Sequence, residues 1–327
     1  MAQMQIRDGA PIKRNMNRKR SLIALAVAFA IVAVLVAVEW TPDRSVESLQ
    51  ARWAPPPSTF VTIDGMSVHL RDEGPGNDPH PIVLIHGTAS SLLTWEGWVT
   101  ALKGQHRVVS FDFPGAGLTA QFPDDDYRIE HYTRFMEDFL DQLRIKHATL
   151  VGNSFGGRIA WKTAVARPDL AERLVLIDSV GYPGKAKSPP IAFQMAEIPV
   201  FRPLIEHITP RSFIEKSLMA AYGDPHKVTS DLVDRYYELF LRAGNRRAFI
   251  LQFEQDSYTD SDRIKTIAIP TLILWGGLDP VVPVRDAERF HQDIAHSQLV
   301  VFSQLGHVPM EEDPAQTVKA VEDFLAR

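Results

Sequence analysis

A short apolar run from Ala148 to Val151 has strand character and is followed directly by Gly152-Asn153-Ser154-Phe155-Gly156. Helical spacing then continues from Gly156 to Ala166 and ends near Pro168. A strand that turns at once into a helix over a serine flanked by glycines restricts the fold severely. The glycines permit the tight turn, and the turn points the Ser154 hydroxyl out of the sheet. The helix start adds a favourable dipole and a free main-chain N–H at Phe155.

The surrounding pattern fits such a turn. Thr59–Ile63 and Ser67–Arg71 alternate around Asp64-Gly65, which signals a hairpin. Further short strands are expected at Pro81–Ile85, Arg107–Phe111, Leu174–Ile177, Thr271–Trp275 and Gln298–Phe302. Between them lie helical stretches at His131–Leu143, Val284–Ile294 and Pro314–Leu325. Continuous apolar strands alternating with helices predict an α/β fold around a mostly parallel sheet, buried on both faces. The rhythm breaks over residues 181–262, where amphipathic helices such as Asp231–Leu241 occur without a clear strand. The chain therefore reads as one α/β domain over 58–327 with a helical cap inserted at 181–262.

The N-terminus differs in kind. Residues 1–20 hold six basic residues and one acid, a local charge of about +5, so the overall −5 hides about −10 in the rest. Leu22 to Val38 carries no charge, Gly or Pro and would span roughly 25 Å as a helix, close to the thickness of a bilayer core. Residues 21–40 are therefore expected to form a transmembrane anchor, or a signal sequence. The run is long for a signal, and its exit offers a poor cleavage site, so an uncleaved anchor is favoured. Basic residues before it place the N-terminus in the cytoplasm and the remaining chain outside, in the periplasm if the source is bacterial. Residues 41–57, with Ala54-Pro55-Pro56-Pro57, read as a stiff polyproline spacer. A composition of 45% hydrophobic and 23% charged residues excludes a disordered tail. The absence of cysteine excludes thiol nucleophiles, disulfides and cysteine-held metals. Nothing in the charge pattern asks for a nucleic-acid partner.

Ser154 needs a base to act as a nucleophile. His307, in Gly306-His307-Val308-Pro309-Met310 after the last strand, is the candidate. His291 and His296 fall around a helix end and read as solvated. An acid must hold the imidazole in one tautomer. Asp279, in Trp275-Gly276-Gly277-Leu278-Asp279-Pro280, is the first choice, and Asp178 at the end of an earlier strand is its rival. Two N–H groups are needed for an oxyanion: Phe155 is one, and Thr88 in His86-Gly87-Thr88-Ala89 is chosen as the other. His86 reads as a structural residue of that loop, and Asp112 as a residue that ties down its own turn. No His-x-x-x-His pair has a nearby Glu, so a zinc hydrolase is not expected.

These residues resemble the α/β-hydrolase superfamily, and within it the capped serine hydrolases of the esterase and lipase type. The matching pieces are His86-Gly87, Phe111-Asp112-Phe113-Pro114-Gly115, Gly152-Asn153-Ser154-Phe155-Gly156-Gly157, Leu274-Trp275-Gly276-Gly277-Leu278-Asp279 and Gly306-His307. The resemblance implies an eight-stranded, mostly parallel sheet, a helical cap and acyl-enzyme chemistry without a cofactor. The Gly-Asn-Ser-x-Gly-Gly form is similar to that of bacterial esterases and lipases, and to that of meta-cleavage-product C–C hydrolases. Ser154 stands where haloalkane dehalogenases and epoxide hydrolases carry Asp. The Thr88-Ala89-Ser90-Ser91 loop departs from the Gly- and Pro-rich loop of the C–C hydrolases. With the anchor, this favours cleavage of small-molecule carboxylic esters with an apolar acyl group, with C–C hydrolase, lactonase and cofactor-free perhydrolase chemistry as alternatives and a catalytically dead binding protein last. The aromatics Phe193, Phe201, Phe213, Tyr222, Tyr236, Tyr237, Phe240, Phe249, Phe253 and Tyr258 are expected in the cap, most of them as packing and some around an apolar pocket.

Overall fold

The computed structural model describes residues 22–23, 25–27, 39–184, 193–195, 198–199, 202–255, 257 and 259–327. Two compact units divide the chain, Met1–Thr41 and Pro42–Arg327. Most of the expected membrane span lies outside the described residues, as does the basic stub. Leu22, Ile23, Leu25, Ala26 and Val27 are described, and they are helical. Among the described residues, no helix is long and apolar enough to cross a membrane.

The larger unit is built on eight strands: β1 (Thr59–Ile63), β2 (Met66–Glu73), β3 (Ile82–Ile85), β4 (Val108–Phe111), β5 (Ala148–Asn153), β6 (Ala171–Ile177), β7 (Thr271–Gly276) and β8 (Ser297–Phe302). Their order is β1-β2-β4-β3-β5-β6-β7-β8. The β1/β2 and β2/β4 pairs are antiparallel, and the others are parallel. Asp64 and Gly65 both take positive φ, the two-residue turn whose twist matches a hairpin.

The helices are α1 (Val46–Trp53), α2 (Glu96–Leu102), α3 (Ile129–Gln142), α4 (Phe155–Ala166), α5 (Arg202–His207), α6 (Arg211–Ala221), α7 (Ser230–Phe240), α8 (Asn245–Gln255), α9 (Arg285–Asp293), α10 (Pro309–Glu312) and α11 (Pro314–Leu325). Alternate residues of each strand face opposite sides of the sheet. Val83, Ile85, Leu174 and Leu176 pack under α3, α4 and α9. Ile82, Leu84, Val175 and Ile177 pack under α2 and α11. With both faces covered, the central parallel strands are mostly apolar, as in Ile82–Ile85 of β3 and Leu174–Ile177 of β6. Between β6 and β7 the described residues form α5 to α8 and contribute no strand to the sheet. Ile214, Leu218, Val233, Phe240 and Phe249 knit these helices into a small core of their own.

The reading of residues 41–57 as a stiff spacer requires correction. The compact body begins at Pro42, not at residue 58. Ser45 caps α1 by accepting the Ser48 N–H, and Leu49, 1% exposed, packs with Leu92, Leu118 and Leu239. The Arg44 main chain bonds to Leu241 and Ala243. Arg52 and the Trp53 indole both reach Glu238 on α7, at 3.2 and 2.7 Å, and Asp43 pairs with Arg246 at 2.6 Å. Residues 55–58 then close a turn, with Ser58 N–H donating to Pro55. The segment is held by ion pairs, hydrogen bonds and a small apolar contact of Leu49, Trp53 and Ala54, a pattern with little hydrophobic periodicity to read.

Candidate active site

The C-terminal ends of β3, β5, β6 and β7 lie side by side: Ile85 is level with Gly152, Asn153 with Ile177, and Ile177 with Leu274. Ser154 follows β5 at once, with φ +55° and ψ −119°. That conformation is sparsely populated for a residue with a side chain. It is held by Ser154 N–H donating to Ile177 and by Val180 N–H donating to the Ser154 carbonyl. The glycines are required by close approach. A Cβ on Gly152 would lie 2.2 Å from the Gly156 carbonyl oxygen, and one on Gly156 would lie 2.3 Å from the carbonyl oxygens of Ile85 and His86.

The structure brings three predicted residues together. His307 Nε2 lies 2.9 Å from Ser154 Oγ, and His307 Nδ1 lies 2.8 Å from Asp279 Oδ2. All three are buried. Nδ1–H donates to Asp279, which leaves Nε2 to accept the Ser154 proton. Asp279 is steadied through its other oxygen by the N–H groups of Val281 and Val282, at 2.7 and 3.0 Å. The rival, Asp178, is fully buried and is not the carboxyl on His307. Its Oδ1 accepts the Gly276 N–H at 2.8 Å.

Thr88 and Ser154 line one pocket. Gly87 lets the loop lie against the serine, since a Cβ there would come within 3.2 Å of Ser154 Cβ. Ser90 N–H closes a turn onto the Gly87 carbonyl, Ala89 takes φ +58°, and Thr88 Oγ1 donates to Gln252 on α8. Phe155 opens α4, where main-chain N–H groups have no partner within the helix. Its side chain packs away from the pocket, edge-on to Tyr132. His86 Nδ1 bonds to the Gly87 carbonyl, and its Nε2 accepts the Phe113 N–H. Burial lowers its pKa, with Asp112 and the Gly87 carbonyl acting in the opposite direction. Asp112 accepts from Leu92 and Leu118 N–H and bonds to His69.

Several positioning residues carried no signal that sequence reading used. Asn153 Nδ2 donates to the His307 carbonyl at 3.0 Å and so fixes the histidine loop from the nucleophile's own strand. Glu312 accepts N–H groups from Gly306, Gly223 and Asp224, joining that loop to the start of a cap segment. Glu311 accepts from Tyr222 and Tyr236 and pairs with Arg235, and Ser90 donates to Tyr236. The Glu311-Glu312 step shortly after His307 is the only trace of this arrangement in the sequence.

The pocket measures about 760 Å³ counted to its open mouth. Its floor holds Ser154 and His307, and its walls are largely apolar: Phe193, Ile214, Leu218, Phe240, Phe249, Val281 and Val308. Of the aromatics expected around it, Phe193, Tyr236, Phe240 and Phe249 line it, and Phe253 packs behind Phe193 and Phe249. Phe201 and Tyr258 lie outside the described residues. Among the described residues, two groupings bring carboxylates and an imidazole close enough for a metal. One is Asp124, Asp126 and His131, where Asp126 is already paired with Arg128. The other is Asp178, Asp279 and His307, whose imidazole is occupied by its serine and aspartate.

Residues 80–314 match the family model described as alpha/beta hydrolase fold. The chain is 31% identical over 288 residues to 2-hydroxy-6-oxo-2,4-heptadienoate hydrolase of Pseudomonas putida, covering 82% of this chain and 95% of that protein. A meta-cleavage product hydrolase from Pseudomonas fluorescens IP01 (CumD), solved with acetates, superposes with a TM-score of 0.72 at 26% identity, over 82% of this chain and 97% of that one. A membrane phospholipase A, described as a bacterial virulence factor, superposes with a TM-score of 0.72 over 96% of this chain and 98% of that one, and at 23% identity it shows the fold alone. A hydrolase fold, a serine on a strained strand-to-helix turn and a family match across the sheet agree: the chain belongs to the alpha/beta hydrolase family.

Proposed function

We propose that this hydrolase cleaves uncharged carboxylic esters through an acyl-enzyme. The observation that carries the reading is the Ser154–His307–Asp279 chain of hydrogen bonds at the floor of an apolar pocket. Ser154 Oγ attacks the ester carbonyl carbon as His307 Nε2 takes its proton. The N–H groups of Thr88 and Phe155 receive the oxyanion. His307 then gives the proton to the leaving alkoxide, and the alcohol departs. Water enters, loses a proton to His307 and attacks the acyl carbon. Collapse of this second intermediate returns the proton to Ser154 and frees the acid. Asp279 holds the imidazole in the required tautomer and stabilises the imidazolium.

The relatives support a second reading, C–C bond cleavage in a dienoate, since that substrate class is in their names. The lining weighs against it. Among the described residues, the pocket presents no Lys or Arg. A substrate carboxylate there would lose its hydration without gaining a countercharge, a heavy penalty in an apolar site. A panel of p-nitrophenyl esters of increasing acyl length, a lactone and 2-hydroxy-6-oxo-2,4-heptadienoate, assayed with the full chain, decides the matter. Ester turnover is expected to dominate, and faster cleavage of the dienoate would overturn the reading.

We also propose that residues 21–40 tether the protein to a membrane, with the hydrolase body on the far side from the cytoplasm. The uncharged run Leu22–Val38 behind a basic stub supports this. Recovery of the native protein in the membrane fraction, with an intact N-terminus on sequencing, is the expected result.

A further inference from the structure

Asp178 sits at the end of β6 with φ +45° and is 0% exposed. Its Oδ1 accepts the Gly276 N–H, while Oδ2 is buried with no donor facing it among the described residues. A carboxylate oxygen left in that state loses its hydration without replacement. Asp178, Asp279 and His307 each offer an atom within 4.8 Å of the others. Two carboxyls sharing a buried site cannot both ionise.

The hydrogen-bond inventory decides which one keeps the proton. Asp279 receives three N–H donors, from His307, Val281 and Val282. Asp178 receives one. We propose that Asp178 stands as a carboxylic acid and donates its proton in a hydrogen bond to the Asp279 carboxylate, so that His307 faces a two-carboxyl unit of single negative charge. The orphaned Oδ2 then becomes a donor with a partner, since each carboxylate oxygen has two lone pairs to offer. Burial first, and the Asp279 charge second, push the Asp178 carboxyl well above its ordinary range. Glu312, another carboxyl near Asp178, adds to this in the same direction. Asp178 is a positioning residue: it touches no substrate atom, and it fixes the plane of the carboxylate that orients the base.

The proposal rests on the serine-hydrolase reading, and the test separates the two. An asparagine reproduces both bonds, accepting from Gly276 and donating to Asp279, whereas an alanine loses both. Asp178→Ala is expected to lower kcat roughly 10- to 100-fold with little change in KM, the scale of a buried partner left unsatisfied. Asp178→Asn is expected to recover kcat to within about threefold of the wild type. The acid limb of the kcat/KM profile should then coincide for wild type and Asp178→Asn. An ionised Asp178 would stabilise the imidazolium, so its loss would move that limb down by about one unit. Such a move, or an Asp178→Asn variant as slow as Asp178→Ala, would overturn the proposal. If Asp178→Ala does not fold, carbon-13 NMR of aspartate-labelled wild-type protein is decisive. The carboxyl resonance lost in Asp178→Asn must hold the protonated position at pH 7, and a carboxylate position there defeats the proposal. Fluorophosphonate labelling keeps the readings apart. A wild-type Ser154 that does not label defeats the serine-hydrolase reading, whereas normal labelling with an ionised Asp178 defeats only this one.

Discussion

The main-chain N–H of His307 donates to the carbonyl oxygen of Ala221, the last residue of α6, at 2.7 Å. The residue set to abstract the serine proton is therefore bonded to the helix that lines the pocket through Ile214 and Leu218. Glu312 reinforces the junction by accepting from Gly306 on one side and Gly223 on the other. A cap that lifted away as a rigid lid would have to break these bonds and displace the imidazole. Substrate admission that leaves the base in place must use another part of the cap.

Ser154→Ala is expected to lower ester kcat by roughly 10⁴- to 10⁶-fold and to abolish fluorophosphonate labelling. Stopped-flow or steady-state turnover of a p-nitrophenyl ester checks it. Near wild-type rates would remove Ser154 from the chemistry.

Asp279→Asn should cost about 10⁴-fold in kcat while leaving the fold intact, because an amide lets the imidazole settle in the wrong tautomer. The contrast with Asp178→Asn is the informative part. Equal losses at the two positions would mean that the roles given to these neighbouring carboxyls are wrong.

Glu311→Ala removes the carboxylate from Arg235, Tyr222 and Tyr236 together. The Arg235 and Glu311 side chains are only 13% and 9% exposed. An unpaired buried guanidinium costs about 3 kcal/mol or more. Urea unfolding should show a loss of that order, and KM should rise because Tyr236 and Ser90 line the pocket. A stability change near zero would show the network to be solvated.

Leu49→Ala tests the N-terminal strap. The deletion leaves a void between α1 and α7, and a loss of about 2 kcal/mol is expected, at the lower end for a buried leucine because the segment can relax. Denaturant titration of the full chain measures it. An unchanged midpoint would mean that α1 is not docked in solution.

His86 predicts a pH dependence of stability. Burial holds its folded-state pKa below the ordinary histidine value, so the unfolded chain binds a proton near pH 6.5 that the folded chain refuses. Its contribution is complete above that value and is lost as pH falls through it toward the folded-state pKa. The urea midpoint should decline between about pH 7 and pH 5, and His86→Gln should flatten part of that decline. An identical slope in the variant would assign the titration elsewhere.

The sheet was legible because the parallel strands hold short apolar runs beside turn signals, as burial on both faces favours. Ser154, Asp279 and His307 were legible because strand ends confine them to one edge of that sheet. Asp178 also ends a strand there; the place of Asp279 past the penultimate strand made it the first choice, and the approach of its carboxylate to His307 Nδ1 distinguishes the two. Asn153, Glu311 and Glu312 were hidden. Their work is to bond main-chain groups and side chains from distant parts of the chain, and no local pattern records those partners. Helix α1 escaped because its apolar face is short, Leu49 with the half-buried Trp53, and its polar ties are to Asp234 and Glu238 on the distant α7.

Because Arg44, Arg52 and Trp53 are fastened to Glu238 of α7 and to the residues just after it, the polypeptide enters its folded body against the cap. A mechanical load carried along the chain to Pro42 is therefore delivered in part to the helix that bears Tyr236 and Phe240. The wall of the pocket, which Tyr236 and Phe240 line, would then carry part of that strain.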